Sequence, residues 1–225
     1  MAHPEPMTEI NASHKRGIKL TVALVLTFIV IVVASFVYTM VKPRALSDSA
    51  LRANNAFLFD AVRDIGDFNL LDDNNKPFTP ADLRAKWSLL FFGFTFCPDI
   101  CPTTMAQLNE FFRKLPPEYA GDTQIIMVSV DPGRDDAAKL HDYVRYFNPQ
   151  FRGVTGEFLA LQKFATSLNV PFAKVPGGGE NYQIEHSGNI AIINPAGHYI
   201  GFFKAPHELQ KLLTNYESIR ITRER

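Results

Sequence analysis

The sequence predicts a mixed α/β domain standing behind one membrane-spanning helix. Three observations carry that reading. Residues 20–41 contain no charged side chain, and at about 1.5 Å per residue they are long enough for a hydrocarbon core of about 30 Å. Two largely apolar runs, residues 87–94 and 124–130, each lead into a stretch with apolar side chains at helical spacing. A β-α-β-α succession of this kind builds a sheet with helices on its faces. The chain has only two cysteines, Cys97 and Cys101, and both follow the first of those runs, where open α/β sheets place their sites.

Composition removes several classes. Twenty-three basic and 23 acidic residues cancel, and no basic stripe is present, so nucleic acid is not an expected partner. Nineteen phenylalanines supply a large core. Two cysteines make one site or one staple, not a disulfide framework.

In chain order, residues 1–17 are polar and read as a short, disordered cytoplasmic tail. Residues 18–41 read as an uncleaved anchor, because a signal peptide has an apolar region of only about 7–15 residues ending at a small-residue cleavage site. Lys15, Arg16 and Lys19 slightly outweigh Lys42 and Arg44, which favours the N-terminus inside. Glu5 and Glu9 speak against a transit peptide. The expected placement is a bacterial inner membrane with the C-terminal domain in the periplasm; the alternative is the mitochondrial inner membrane, facing the intermembrane space.

Residues 42–56 read as a tether, 57–217 as the folded domain and 218–225 as a C-terminal tail. Within the domain, residues 67–78 suggest a hairpin turning at Asp73, Asn74 and Asn75. A strand over 87–94 precedes a helix over 102–115 with Pro102 in its first turn, broken by Pro116 and Pro117. After the strand at 124–130, D-P-G-R-D-D opens a helix reaching Tyr146, with Asp131, Asp135 or Asp136 available as cap. A strand at 151–155, a helix at 157–168 and a strand at 172–175 follow. The run P-G-G-G-E-N-Y, 176–182, reads as a flexible insertion. Strands at 189–194 and 198–204 flank a turn, and a last helix runs from Pro206 to about Tyr216.

Two sulfurs four residues apart share a face in a helical turn. They can close a disulfide, which needs Cα atoms about 4.4–6.8 Å apart, or grip one metal ion; a helix N-terminus favours thiolate. A cysteine pair at the end of a central strand suggests a thioredoxin-like fold. His141, His198 and His207 read as surface or capping residues. His186, in Y-Q-I-E-H-S, stands just ahead of a strand and is open as a third ligand, with Glu185 and Ser187 available as supports. Thiolates select Cu(I) and imidazole suits copper in either state, whereas structural zinc normally takes four ligands.

C-P-D-I-C-P, then S-V-D-P-G-R-D at 129–135, then Y-Q-I-E-H-S at 182–187, resembles the Sco/SenC family over roughly residues 67–216. The resemblance implies a membrane-tethered, thioredoxin-like protein, more a metallochaperone than an enzyme, that assists assembly of the CuA centre of cytochrome c oxidase subunit II. It implies Cys97, Cys101 and His186 as ligands of Cu(I) or Cu(II), with subunit II and a copper donor protein as partners. Asp131 matches an acidic family position near the site; a helix-cap role is equally open. The alternative is a dedicated thiol–disulfide oxidoreductase using a redox-active Cys97–Cys101 disulfide, although C-x-x-x-C is one residue longer than the usual redox motif. No P-x-x-x-T-x-x-C pattern surrounds Cys97, which disfavours a peroxiredoxin. Gly177–Gly178–Gly179 has no place in the family pattern, and Asn194–Pro195 stands where Asp–Pro is expected.

Overall fold

A computed structural model describes residues 9–41, 45–177 and 179–223. Residues 1–8 and 42–44, Gly178 and residues 224–225 lie outside the described residues, and with them parts of the predicted tails and tether. The chain divides into two compact units, Met1–Arg44 and Ala45–Arg225.

In the first unit, α1 is a single helix, Glu9–Val41. Its segment Gly17–Met40, 24 residues, is apolar and long enough to cross a membrane, with none of it buried. The hydroxyls of Thr21, Thr27 and Thr39 donate back to the carbonyls of Gly17, Ala23 and Phe36, so these polar side chains find partners within the helix, as a hydrocarbon surrounding requires. The expected tail is corrected over residues 9–17. They continue the helix, since nothing between Glu9 and Gly17 breaks it.

The second unit starts earlier than predicted. Ser47 accepts a hydrogen bond from the Ala50 N–H and caps α2 (Asp48–Ala53). Leu51 is buried, and Ala56 already opens β1 (Ala56–Arg63). Most of the predicted tether is therefore folded domain. The hairpin is present as β2 (Leu70–Asp72) and β3 (Pro77–Phe78), with Asn75 at φ 59° in the turn, a conformation asparagine tolerates well. After a 3₁₀ turn at Pro80–Leu83 come β4 (Trp87–Gly93), α3 (Ile100–Lys114), α4 (Pro117–Ala120) and β5 (Thr123–Ser129). Then follow α5 (Ala137–Phe147), β6 (Arg152–Thr155), α6 (Phe158–Ser167) and β7 (Phe172–Lys174). The chain closes with a 3₁₀ turn at Gly179–Asn181, β8 (Ile184–His186), β9 (Ile190–Ile193), β10 (Tyr199–Phe203) and α7 (Leu209–Arg223).

The main sheet runs β1-β10-β9-β4-β5-β6-β2-β3. β4, β5 and β6 are parallel, and β9 joins β4 antiparallel. β4 is central, which is why all seven of its residues are buried. Its alternation separates the two faces. Phe92 meets Phe164 of α6, whereas Trp87 meets Tyr216 of α7, and Tyr216 in turn meets Phe111 of α3. Gly93 lies on the α3 side, and the site is built there. β7 and β8 form a separate two-stranded ribbon.

The last helix is also corrected. It begins at Leu209, not Pro206, and continues past Tyr216 to Arg223. Ile219 is fully buried, and the Arg220 guanidinium takes Asp122 in two bonds of 2.5 and 2.6 Å. Residues 218–223 are thus part of the domain and not a tail.

Candidate metal centre

β4 ends at Gly93, and the chain turns through Phe94–Thr95–Phe96 into Cys97, whose N–H donates to the Phe94 carbonyl at 3.2 Å. Cys101 is the second residue of α3. Cys97 lies three residues ahead of that helix, so the two sulfurs do not meet through helical spacing as predicted; the tight turn after β4 folds Cys97 back. The turn is pinned by Asp135, which is completely buried. Its carboxylate accepts from the Thr95 N–H (2.9 Å), the Thr95 hydroxyl (2.5 Å) and the Ser129 hydroxyl (2.7 Å). Of the three candidate aspartates, Asp136 caps α5 through the Lys139 N–H, and Asp135 is freed for this second task. Sequence reasoning offered Asp135 only as a cap; D-P-G-R-D was the signal, but its target, Thr95, lies 40 residues earlier.

Cys97 Sγ, Cys101 Sγ and a ring nitrogen of His186 all lie within 4.8 Å of one another. Both cysteines are unbridged. His186 ends β8, and its Nδ1–H donates to the Ser187 carbonyl at 3.1 Å. That bond fixes the tautomer and leaves the Nε2 lone pair toward Cys101 Sγ, 3.6 Å away. The ring is held edge-on against Phe91 and Phe94, with centroids 6.1 and 5.9 Å apart. Burial holds the imidazole pKa below its ordinary value, so at neutral pH the ring is an uncharged donor. Burial, with Cys97 alongside, pushes the Cys101 thiol up. For Cys101 the expected thiolate preference of a helix N-terminus is outweighed, and a metal must displace a proton to bind there.

Glu185 was expected to support His186. Side chains alternate along β8, so Glu185 faces the other way and is exposed, and the support comes from the Ser187 backbone carbonyl. Asp131 is buried but bonds to the Tyr182 hydroxyl at 2.6 Å and to Arg134 Nε at 2.5 Å. His141 lies 3.3 Å from Asp73, and His198 precedes β10. His207 departs from prediction. It is buried, and its ring donates to the Gly188 carbonyl at 2.8 Å. It therefore anchors the backbone two residues beyond His186.

Gly93 was not anticipated. A Cβ there would stand 2.9 Å from Cys101 Sγ, 2.9 Å from Phe91 and 3.3 Å from Met127. Gly93→Ala is expected to displace the Cys101 sulfur and to cost about 1–3 kcal/mol by overpacking. Urea unfolding and a thiol-reactivity assay check this; unchanged values in both would refute it.

His186 and His207 both have pKa values lowered by burial. The unfolded chain therefore binds more protons than the folded one just below about pH 6.5. The domain should keep this contribution above pH 6.5 and lose it as pH falls further. Urea midpoints at pH 7.5 and 5.5 should fall with acidification, and by less in His207→Gln. Equal falls in both proteins would count against it.

Residues 60–219 match the SCO1/SenC family. The chain belongs to that family. A Stutzerimonas stutzeri protein named as a candidate copper-binding protein is 38% identical over 168 residues, 75% of this chain and 80% of its own. The Sco fold is equally evident in solved structures. Copper-bound ScoI of Arabidopsis thaliana is 33% identical at a TM-score of 0.65, covering 69% of this chain and 98% of that one. Copper-bound ScoI of Bradyrhizobium japonicum is 32% identical at a TM-score of 0.61, covering 69% and 97%. The predicted thioredoxin-like α/β class is the class of these Sco structures.

Proposed function

We propose that this Sco-family chain carries copper, as Cu(I) or Cu(II), between Cys97, Cys101 and His186, and that it assists assembly of the CuA centre of cytochrome c oxidase subunit II. The observation that supports it is the meeting of two thiols and one oriented imidazole within 4.8 Å. The family is one of copper-binding proteins involved in cytochrome c oxidase assembly. Soft thiolates favour Cu(I), and the added nitrogen suits Cu(II). Three protein ligands leave the ion a vacant position, through which a partner's ligand can enter before Cys97, Cys101 and His186 let go. Copper is the cargo, received from a donor protein. α1 serves as the anchor, in a bacterial inner membrane with the domain in the periplasm. Residues 45–223 form the copper-carrying domain.

One observation favours a second role. Cys97 is 9% exposed and Cys101 is 0% exposed. In a thiol reductase the outer thiolate attacks the partner's disulfide and the inner thiol resolves the mixed disulfide. The partner gains two electrons and two protons, and Cys97–Cys101 closes. The same pair can serve both tasks.

The test is to titrate the reduced full chain in detergent with Cu(I) and Cu(II), then offer it to apo subunit II. His186→Ala should lose most of its Cu(II) affinity and its thiolate-to-copper charge-transfer band, while keeping Cu(I) on the two thiolates. His141→Ala and His198→Ala serve as controls. An unchanged band in His186→Ala removes His186 from the ligand set. Absence of copper binding in the reduced wild-type chain overturns the reading as a whole.

A further inference from the structure

His186 is carried by the ribbon β7–β8, which, among the described residues, pairs with no strand of the main sheet. A two-stranded ribbon is marginally stable alone, so its seat on the domain must be made by side chains. Phe172 meets Phe158, and Ile184 is buried. The most densely bonded point is Tyr182, four residues ahead of His186. Its hydroxyl donates to Asp131 Oδ1 at 2.6 Å, and Asp131 is 3% exposed. Arg134 Nε donates to the other oxygen of that carboxylate at 2.5 Å, and Arg134 Nη2 donates to the Tyr182 carbonyl at 2.9 Å. The guanidinium carbon lies 3.6 Å from the Tyr182 ring centre, and Lys174 Nζ lies 3.4 Å from it. Asp131 itself is held from the main sheet, its N–H donating to the Ser129 hydroxyl, which in turn donates to Asp135. One hydrogen-bond chain therefore joins Tyr182 to Asp135, the residue that pins the cysteine turn.

We propose that Asp131, Arg134 and Tyr182 form a latch that holds the ribbon in place and so sets how readily His186 leaves the sulfur pair. The inference rests on the copper reading above and adds to it the positioning residues that govern release. Immediately before the latch, Gly177 and Gly179 take positive φ values of 95° and 55°, a conformation glycine adopts without steric cost. On the far side, His207 holds Gly188. His186 is thus bracketed by two hydrogen-bonded anchors, and the latch is the one that also ties the ribbon to the chain of bonds reaching the cysteine turn. It gives Asp131 a role in the site without contact with the metal.

The experiment loads the reduced full chain in detergent with Cu(II) and follows loss of the thiolate-to-copper band to excess chelator by stopped flow. Tyr182→Ala should release copper about tenfold faster, the scale on which supporting partners act on metal sites. Tyr182→Phe keeps the ring and the carbonyl bond to Arg134 but loses the donor to Asp131, so its rate should fall between the two. Glu185→Gln, on the opposite face of β8, should release at the wild-type rate. A Tyr182→Ala rate equal to wild type, with the thiolate-to-copper band still missing in His186→Ala, overturns the latch and leaves the ligand set intact. A wild-type band in His186→Ala removes His186 from the ligand set, which is a failure of the copper-site reading itself and not of the latch alone.

Discussion

Oxidation of Cys97 and Cys101 to a disulfide is expected to release all bound copper, and reduction to restore binding. Both sulfurs lie in a cluster no wider than 4.8 Å, so closing to the bond length of about 2.05 Å needs side-chain movement and not refolding. Gly93 leaves the space in which Cys101 Sγ moves. Once bonded, neither sulfur is a thiolate, and the imidazole remains as the single donor of the set. Cys97→Ser and Cys101→Ser should each weaken Cu(I) binding by more than about 100-fold, beyond what loss of a supporting residue costs. Competition with a Cu(I) chelator, before and after oxidation, measures both. An oxidised protein that held copper as tightly as the reduced one would refute the assignment of these sulfurs.

Ending the chain at Glu217 is expected to unfold the domain or leave it aggregated. The cut removes Ile219, whose burial is complete. Truncating a buried isoleucine to alanine already costs about 2–5 kcal/mol. It also removes Arg220, which is 4% exposed at its side chain. Arg220 bridges α7 to Asp122 at the entry to β5 and lies 4.2 Å from the centre of the Tyr119 ring. Ser218 goes too, and with it the acceptor for the Leu46 N–H at 2.7 Å. Against a total stability of about 5–15 kcal/mol, these losses together are decisive. Arg220→Ala alone should cost about 1.5–3 kcal/mol, the value of a hydrogen bond to a charged group. Thermal unfolding of the two proteins checks this; a melting temperature unchanged in the truncated chain would show that α7 ends functionally at Tyr216.

What the sequence determined is what depends on near neighbours along the chain. The apolar run of α1, the apolar runs of the central strands and the helical spacing after them follow from local physics, and the predicted elements are present with boundaries shifted by a few residues. The cysteine pair and the Y-Q-I-E-H-S motif carried the family for the same reason, since their spacing is a property of the chain itself. What the tertiary structure decided depends on partners far away. Cys101 and His186 are 85 residues apart and meet only because β8 folds back over the end of β4. Local signals could not bury His207 under Gly188 or send Asp135 to Thr95 while Asp136 capped α5. Nor could they extend α7 past Tyr216, because the reason for that extension, Asp122 and the burial of Ile219, exists only once the sheet has formed.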